Sequence, residues 1–278
     1  MKQHGVLAAL ISLWCLHEVA AHELWLEPLN WQPIAGDNIK VAIRLGTAMN
    51  GNQQIFMPSS FHRFELVTPS GAQPVSGRMG DRPAGQVVPG EDGLHVLIYE
   101  TTPRLVHYEQ LDKFAAFARE KGYPEAEAQH RTEKLPLSSF VERYTRHVKS
   151  LIHVGEGAVG SASEEERRLG MEVEFIARTN PYGWQGGPLA FRLEVDGEPR
   201  GNARVTIMHR KSGNPDAPAR TVTLNTDTDG LIEFEPMPEH IYLLDHVDLA
   251  RAKASADDGA IWISRWGALS FLVPEPGP

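Results

Sequence analysis

From about His22 to His107 the chain alternates short apolar runs, rich in β-branched and aromatic residues, with breaks at Gly, Pro, Asn and Asp. The runs at 39–45, 61–67, 73–79 and 94–100 are the clearest. In the last, Leu94, Val96, Ile98 and Glu100 alternate with His95, Leu97 and Tyr99, giving one strongly apolar face and one mixed face. A period of two between turn residues predicts antiparallel strands of a sandwich. The period then lengthens. Residues 111–121 set Leu111, Phe114, Ala115 and Ala118 on one face before Gly122 and Pro124 stop the pattern. Residues 137–152 space Phe140, Val141, Tyr144, Val148, Leu151 and Ile152 as a helix does, behind Pro136 and the potential caps Ser138 and Ser139. Two amphipathic helices packed on the first sandwich are therefore expected.

Residues 155–170 lose the apolar period, shifting to Gly, Ala and Ser with the run Glu164-Glu165-Glu166-Arg167-Arg168, and read as a linker. Strand patterns resume at 172–177, 189–195, 203–210, 221–225, 231–235, 241–247 and 261–273, with turn signals at Asp196-Gly197 and Asp229-Gly230. The expected fold class is mainly β: two antiparallel β-sandwiches, Ig-like or prealbumin-like. The first spans 22–154 and carries the helices; the second, smaller one spans 171–278. With 41% hydrophobic residues, 25 Gly and 20 Pro, the composition suits a loop-rich globular chain and excludes collagen and coiled coil. Lys and Arg number 27 against 36 Asp and Glu, a net charge of −9 with no basic stripe. Nucleic acid is thereby excluded as an expected partner.

The N-terminus changes the picture. Met1-Lys2 precedes an apolar run from Val6 to Leu16, too short for the ~20 residues that span a bilayer but suited to a signal-peptide core. Cleavage is expected after Ala21, because a cut after Ala20 would place Glu18 where signal peptidase needs a small residue. The sole cysteine, Cys15, leaves with residues 1–21, and Trp14 beside it argues against lipid attachment there. The mature chain then starts His22-Glu23-Leu24-Trp25, is exported to the periplasm, and has neither a thiol nor a segment for stable membrane insertion.

The stretch Ala21-His22-Glu23-Leu24-Trp25-Leu26-Glu27-Pro28 resembles the opening of an uncharacterised exported bacterial family. Its members are commonly labelled nickel-uptake proteins or periplasmic components of cobalt and nickel transport. The resemblance continues at 93–101, at Lys113-Phe114, through 142–151, at Asp196-Gly197-Glu198-Pro199 and in 264–271, close to the family's usual ending. It implies a periplasmic, metal-related binding role, with membrane transporter components as partners.

The residues give that role a chemical basis. An N-terminal histidine offers its α-amine and ring Nδ1 to one ion, closing a chelate. A second histidine would complete a T-shaped nitrogen site suited to Cu(II) or Ni(II). An α-amine pKa of ~7.7–8 makes its deprotonation by a metal inexpensive near neutrality. His22 is thus the first candidate metal ligand. His246, after the strand pattern of 241–245, and His62, before 63–67, are the candidate partners for a Ni, Co or Cu ion; His95 and His107 are weaker ones. The resemblance supports His246 in part, since the family often has a His after an apolar strand near its C-terminal end. His130, His147, His209 and His240 read as surface residues. Asn225-Thr226-Asp227-Thr228-Asp229-Gly230 imitates the start of a calcium loop, but position twelve is Pro236, so a hairpin turn at Asp229-Gly230 is preferred. No GxSxG, HExxH, Walker or dinucleotide signature occurs, and the expected role is not enzymatic. The expected function is an exported nickel- or cobalt-binding protein, with copper second. The alternatives are a structural or ligand-binding module that takes no metal and, more remotely, a copper oxidase built on a histidine brace.

Overall fold

The computed structural model describes residues 22–155, 168–214, 217–253 and 258–276. The expected signal, 1–21, and most of the expected linker, at 156–167, lie outside the described residues. One outer sheet consists of β1 (Glu23–Pro28), β2 (Ile39–Thr47), β3 (Asn50–Gln54) and β6 (Gly85–Val87). The central sheet takes β4 (Phe61–Thr68), β5 (Gly71–Pro74), β7 (Gly93–Thr101), β8 (Arg104–Tyr108) and β9 (Phe140–Val154) from the first half of the chain. From the second half it takes β13 (Arg204–Lys211), β14 (Arg220–Asn225), β16 (His240–Arg251) and β17 (Ala260–Val273). Its order is β14-β13-β16-β17-β9-β7-β4-β5, with β8 on β9 beyond the end of β7. The other outer sheet is β10 (Val173–Ala177), β11 (Leu189–Val195), β12 (Glu198–Pro199) and β15 (Leu231–Phe234).

The mainly β expectation holds, with antiparallel sheets and two helices. The two halves are not separate sandwiches, however. β17 runs parallel to β9, so strands from both sides of 155–170 share one sheet, and each outer sheet covers one of its faces. One core joins the first outer sheet to the central one through Trp25, Leu26, Ile43, Leu97, Val148 and Leu243. The opposite core contains Val96, Ile98, Leu151, Phe175, Phe191 and Phe271. Neighbours in sequence, such as Leu97 and Ile98, thus go to different cores, as a period of two requires.

This double burial explains the main departure from the sequence pattern. Residues 137–152, expected to be helical, form most of β9 instead. Every residue from His147 to Val154 is buried, so apolar side chains are needed on both faces and the alternation that marks a half-exposed strand disappears. The spacing of Phe140, Tyr144, Val148 and Ile152 is then equally compatible with every second position on one side of a strand. The first expected helix is present as α1 (Leu111–Glu120), ending before Gly122, whose φ is +96°. The second helix, α2 (Ala126–Thr132), buries only Ala126 and His130 and so carries no readable stripe. Both rest on a third apolar cluster that includes Phe114, Phe117, Phe140, Trp262 and Trp266.

Two turn signals had different fates. Asp196-Gly197 joins β11 to β12 with positive φ at both residues, the conformation that an Asp-Gly hairpin favours. Asp229-Gly230 turns the chain but closes no hairpin, because β14 pairs with β13 in the central sheet and β15 with β11 in an outer one. Asp227 Oδ1 accepts the backbone N–H groups of Asp229 and Leu231, both at 2.8 Å, which accounts for the calcium-like spacing.

Gly267 marks a close approach of two layers. A Cβ there would lie 2.5 Å from Val173 Cγ1, against the strand that opens the second outer sheet. Gly267→Ala is expected to cost about 1–3 kcal/mol by overpacking, and Val173→Ala in the same chain to recover part of the loss. Urea unfolding of the single and double variants checks both.

Candidate functional site

The strand register of β9 assembles a site that a helix could not. Glu142, Tyr144 and Arg146 are two residues apart, so in an extended strand all three leave the same face. That face borders a cavity of about 550 Å³. β8 adds Arg104, Val106 and Tyr108 by the same rule, β7 adds Tyr99 and Thr101, and β17 adds Trp266. Leu24, Ile43 and Leu45 of the first outer sheet supply much of the apolar wall, and exposed His22 stands immediately before β1 and also lines the cavity.

Glu142 is buried in this wall. Its Oε2 accepts the Tyr108 hydroxyl at 2.8 Å, and its Oε1 accepts the Ser264 hydroxyl, which in turn accepts the Trp266 Nε1–H at 3.0 Å. Burial pushes the Glu142 carboxyl up to about 7, against the opposing pull of those two hydroxyls and of Arg146. Burial also raises the Tyr108 phenol, helped by the neighbouring Glu142 charge, so Tyr108 remains a donor.

Arg146 is the second unusual group. Its guanidinium lies 4.4 Å from the Trp266 ring centre and 5.5 Å from that of Tyr144, a cation–π arrangement. Among the described residues no carboxylate is within 4 Å of it, and burial draws its pKa below the usual arginine value. Two carboxylates that act on it electrostatically, Asp245 and Glu23, are both engaged at 3.5 Å by the buried Lys121 ammonium. Lys121 lies 4.9 Å from the Trp266 ring. Although burial alone would lower it, Asp245, Glu23 and Glu120 hold Lys121 above its ordinary value. Glu23 is raised by burial and by Asp245, partly countered by Lys121. Arg82 and Arg104 are exposed members of the same lining. The arrangement can therefore offer positive charge, hydroxyl donors and apolar wall to one ligand.

The histidines predicted as metal ligands stand at different places. His22 lines the cavity. His246 is buried in β16, donates its Nδ1–H to the Arg204 carbonyl at 2.8 Å, and is kept neutral more readily because burial lowers its pKa. His62 is exposed, with Nε2 3.9 Å from Glu100 Oε2. Glu100 is held instead by His147 Nδ1 at 2.8 Å and Arg63 Nη1 at 3.3 Å; burial would raise its pKa, but these two partners keep it low. Among the described residues no group of three or more His, Cys, Asp or Glu is gathered as metal ligands. Of the histidines expected at the surface, His130, His147 and His209 are buried. His130 is fully satisfied in the core, receiving Trp262 Nε1–H at 3.1 Å and donating to the Pro136 carbonyl at 2.8 Å. His95, the weaker candidate on β7, is also fully buried. No described helix is long and apolar enough to cross a membrane.

Residues 19–247 match a family model described as Domain of unknown function (DUF4198). The chain belongs to the DUF4198 family. No curated protein matches this DUF4198 chain. Among solved structures, the D0-D1 domain of Intimin is similar at 11% identity, covering 89% of this chain and 97% of that one. The TM-score is 0.21, so that likeness carries no argument about fold or function.

Glu142, Tyr144 and Arg146 of this DUF4198 chain lie within the stretch quoted above for its family resemblance, yet nothing singled them out as site residues. The helical assignment placed Tyr144 two positions from Glu142 and Arg146, away from their shared face. The available signal was charge: Glu142 and Arg146 stand four residues apart with Tyr144 midway, and ionisable groups drawn into a protein's interior cluster at binding sites.

Proposed function

We propose that this chain is an exported, non-catalytic binding protein for a transition metal, nickel or cobalt first and copper second. It would take up the ion at the rim of the β9 cavity in the periplasm and pass it to a membrane transporter. The observation that carries this reading is the position of His22: the residue that signal cleavage would make N-terminal is exposed and borders the β9 cavity. A free His22 would present its α-amine and Nδ1 to one ion there. The labels attached to the family it resembles agree with that role. His246 and His62 do not line the cavity, so they are no longer proposed to complete the coordination. Water or a ligand seated in the cavity would supply the remaining donors.

Intact-mass measurement of the exported protein, with Ni(II) and Cu(II) titration of the same material, tests this. The expected mass begins at His22, with one site whose affinity falls at least about tenfold in His22→Ala and in a chain extended by one residue before His22. His62→Ala should leave it unchanged. Equal affinity in the extended and unextended chains would overturn the proposal.

A further inference from the structure

We infer that the β9 cavity is a binding site for a small organic carboxylate with an apolar body, whose carboxylate meets Arg146 and whose body lies along the wall formed by Leu24, Ile43, Leu45 and Val106. This inference is independent of any metal at His22.

Arg146 is a cation with no carboxylate within 4 Å among the described residues. A guanidinium has five N–H donors in a planar fork that matches a carboxylate. Trp266 and Tyr144 support the plane of Arg146 but accept no conventional hydrogen bond from it, and no described carboxylate comes within 4 Å. Asp245 and Glu23, which could have approached, are held by Lys121. Stacked arginines of this kind keep their fork oriented, so an entering anion loses little freedom in the protein when it binds. Arg82 and Arg104 add positive charge among the exposed lining residues, against a chain whose net charge is −9. A concentration of cations opposite to the overall charge points to local selection for an anion.

The remaining surface sets the class. An inorganic anion would leave the aliphatic wall unused, and a strongly hydrated dianion would meet Glu142 as a second acidic group. A monocarboxylate with an alkyl body uses the guanidinium and the wall together, and a cavity of about 550 Å³ accommodates it. When protonated, Glu142 can also donate a hydrogen bond to it.

The test is calorimetric titration of the metal-stripped full chain with hexanoate, acetate and inorganic phosphate. Hexanoate should bind at one site about a hundredfold more tightly than acetate, from four additional buried methylenes. Inorganic phosphate should be weaker than hexanoate. Arg146→Gln should weaken hexanoate about tenfold or more. Arg104→Glu, at an exposed position that does not challenge folding, should weaken it several-fold at low salt and less at high salt. Hexanoate no tighter than acetate, phosphate equal to hexanoate, or hexanoate binding unchanged in either arginine variant would overturn the inference. Because no metal is present, failure here leaves the His22 proposal standing, and failure of the His22 titration leaves this one standing.

Discussion

Replacing Lys149 by Met is expected to destabilise the fold by about 3–5 kcal/mol, the largest single-site effect anticipated outside the apolar cores. Lys149 projects from β9 on the face opposite the cavity and is almost fully buried. Its ammonium meets Glu174 Oε1 at 2.8 Å and the Phe175 carbonyl at 3.0 Å, tying the central sheet to β10. Burial lowers the Lys149 pKa although Glu174 resists that shift, so the charged form depends on its partner. Without Lys149, the Glu174 carboxylate would retain the Leu169 N–H at 2.9 Å and the Met171 N–H at 3.4 Å, but no cation. An uncompensated buried charge is the source of the cost. The double variant Lys149→Met, Glu174→Gln removes both charges and should recover at least half of it, since neutral replacement of a buried pair is often tolerated. Urea unfolding at pH 7 measures all three chains. A Lys149→Met chain within about 1 kcal/mol of the parent would show that the pair contributes little.

The second large effect concerns pH. Glu142→Gln is expected to stabilise the chain by about 3 kcal/mol at pH 8 and to change little at pH 4. The sign follows from proton counts. The folded carboxyl holds its proton up to about pH 7, whereas an ordinary glutamate releases it near 4.5. Between those values the folded state binds more protons than the unfolded state, so the contribution of Glu142 to stability falls as pH rises through the window and is constant above it. Gln cannot ionise and avoids this loss. Its amide can satisfy Tyr108 and Ser264 because both hydroxyls can donate or accept. Arg146, the charged group facing Glu142 on the same strand, favours the ionised form and limits the gain. Burial and Asp245 also raise Glu23, in parent and variant alike. The difference between parent and variant isolates Glu142. Thermal unfolding from pH 4 to 9 should show the two curves diverging with rising pH; parallel curves would contradict the assignment.

The pattern of the chain made most strands legible because turn residues interrupt them regularly. β2, β4, β7 and all the longer strands after residue 171 fall where the apolar runs do. α1 was legible too, since only one of its faces is covered and Gly122 ends it. β9 was not, for a physical reason: a strand covered on both sides displays no alternation, and in Phe140, Tyr144 and Val148 the spacing of every fourth residue suits helix and strand alike. The shared central sheet was illegible for the related reason that parallel pairing of β9 with β17 joins segments about a hundred residues apart, and register between distant strands leaves no local mark.

The candidate site was partly legible. His22 could be singled out from the cleavage pattern, and its position beside a cavity gives that residue a structural context. His246 looked equivalent as a residue type, but its Nδ1 serves the Arg204 carbonyl inside the sheet, a use that composition cannot reveal. His62 is exposed and lies outside the cavity lining. Arg146 and Glu142 escaped notice because their importance lies in burial and pairing: one lacks an anion within 4 Å, and the other is enclosed with two hydroxyls. Once β9 is extended, the alternation of Glu142, Tyr144 and Arg146 follows directly.

The proposed ion enters at His22, on the cavity side of β9. The most direct measurement is anomalous diffraction at the nickel edge from crystals of a chain beginning at His22 and loaded with Ni(II). One dominant peak is expected in bonding contact with both the terminal nitrogen and Nδ1 of His22, at the cavity rim. A dominant peak at His62 or at another histidine, with none at His22, would contradict it.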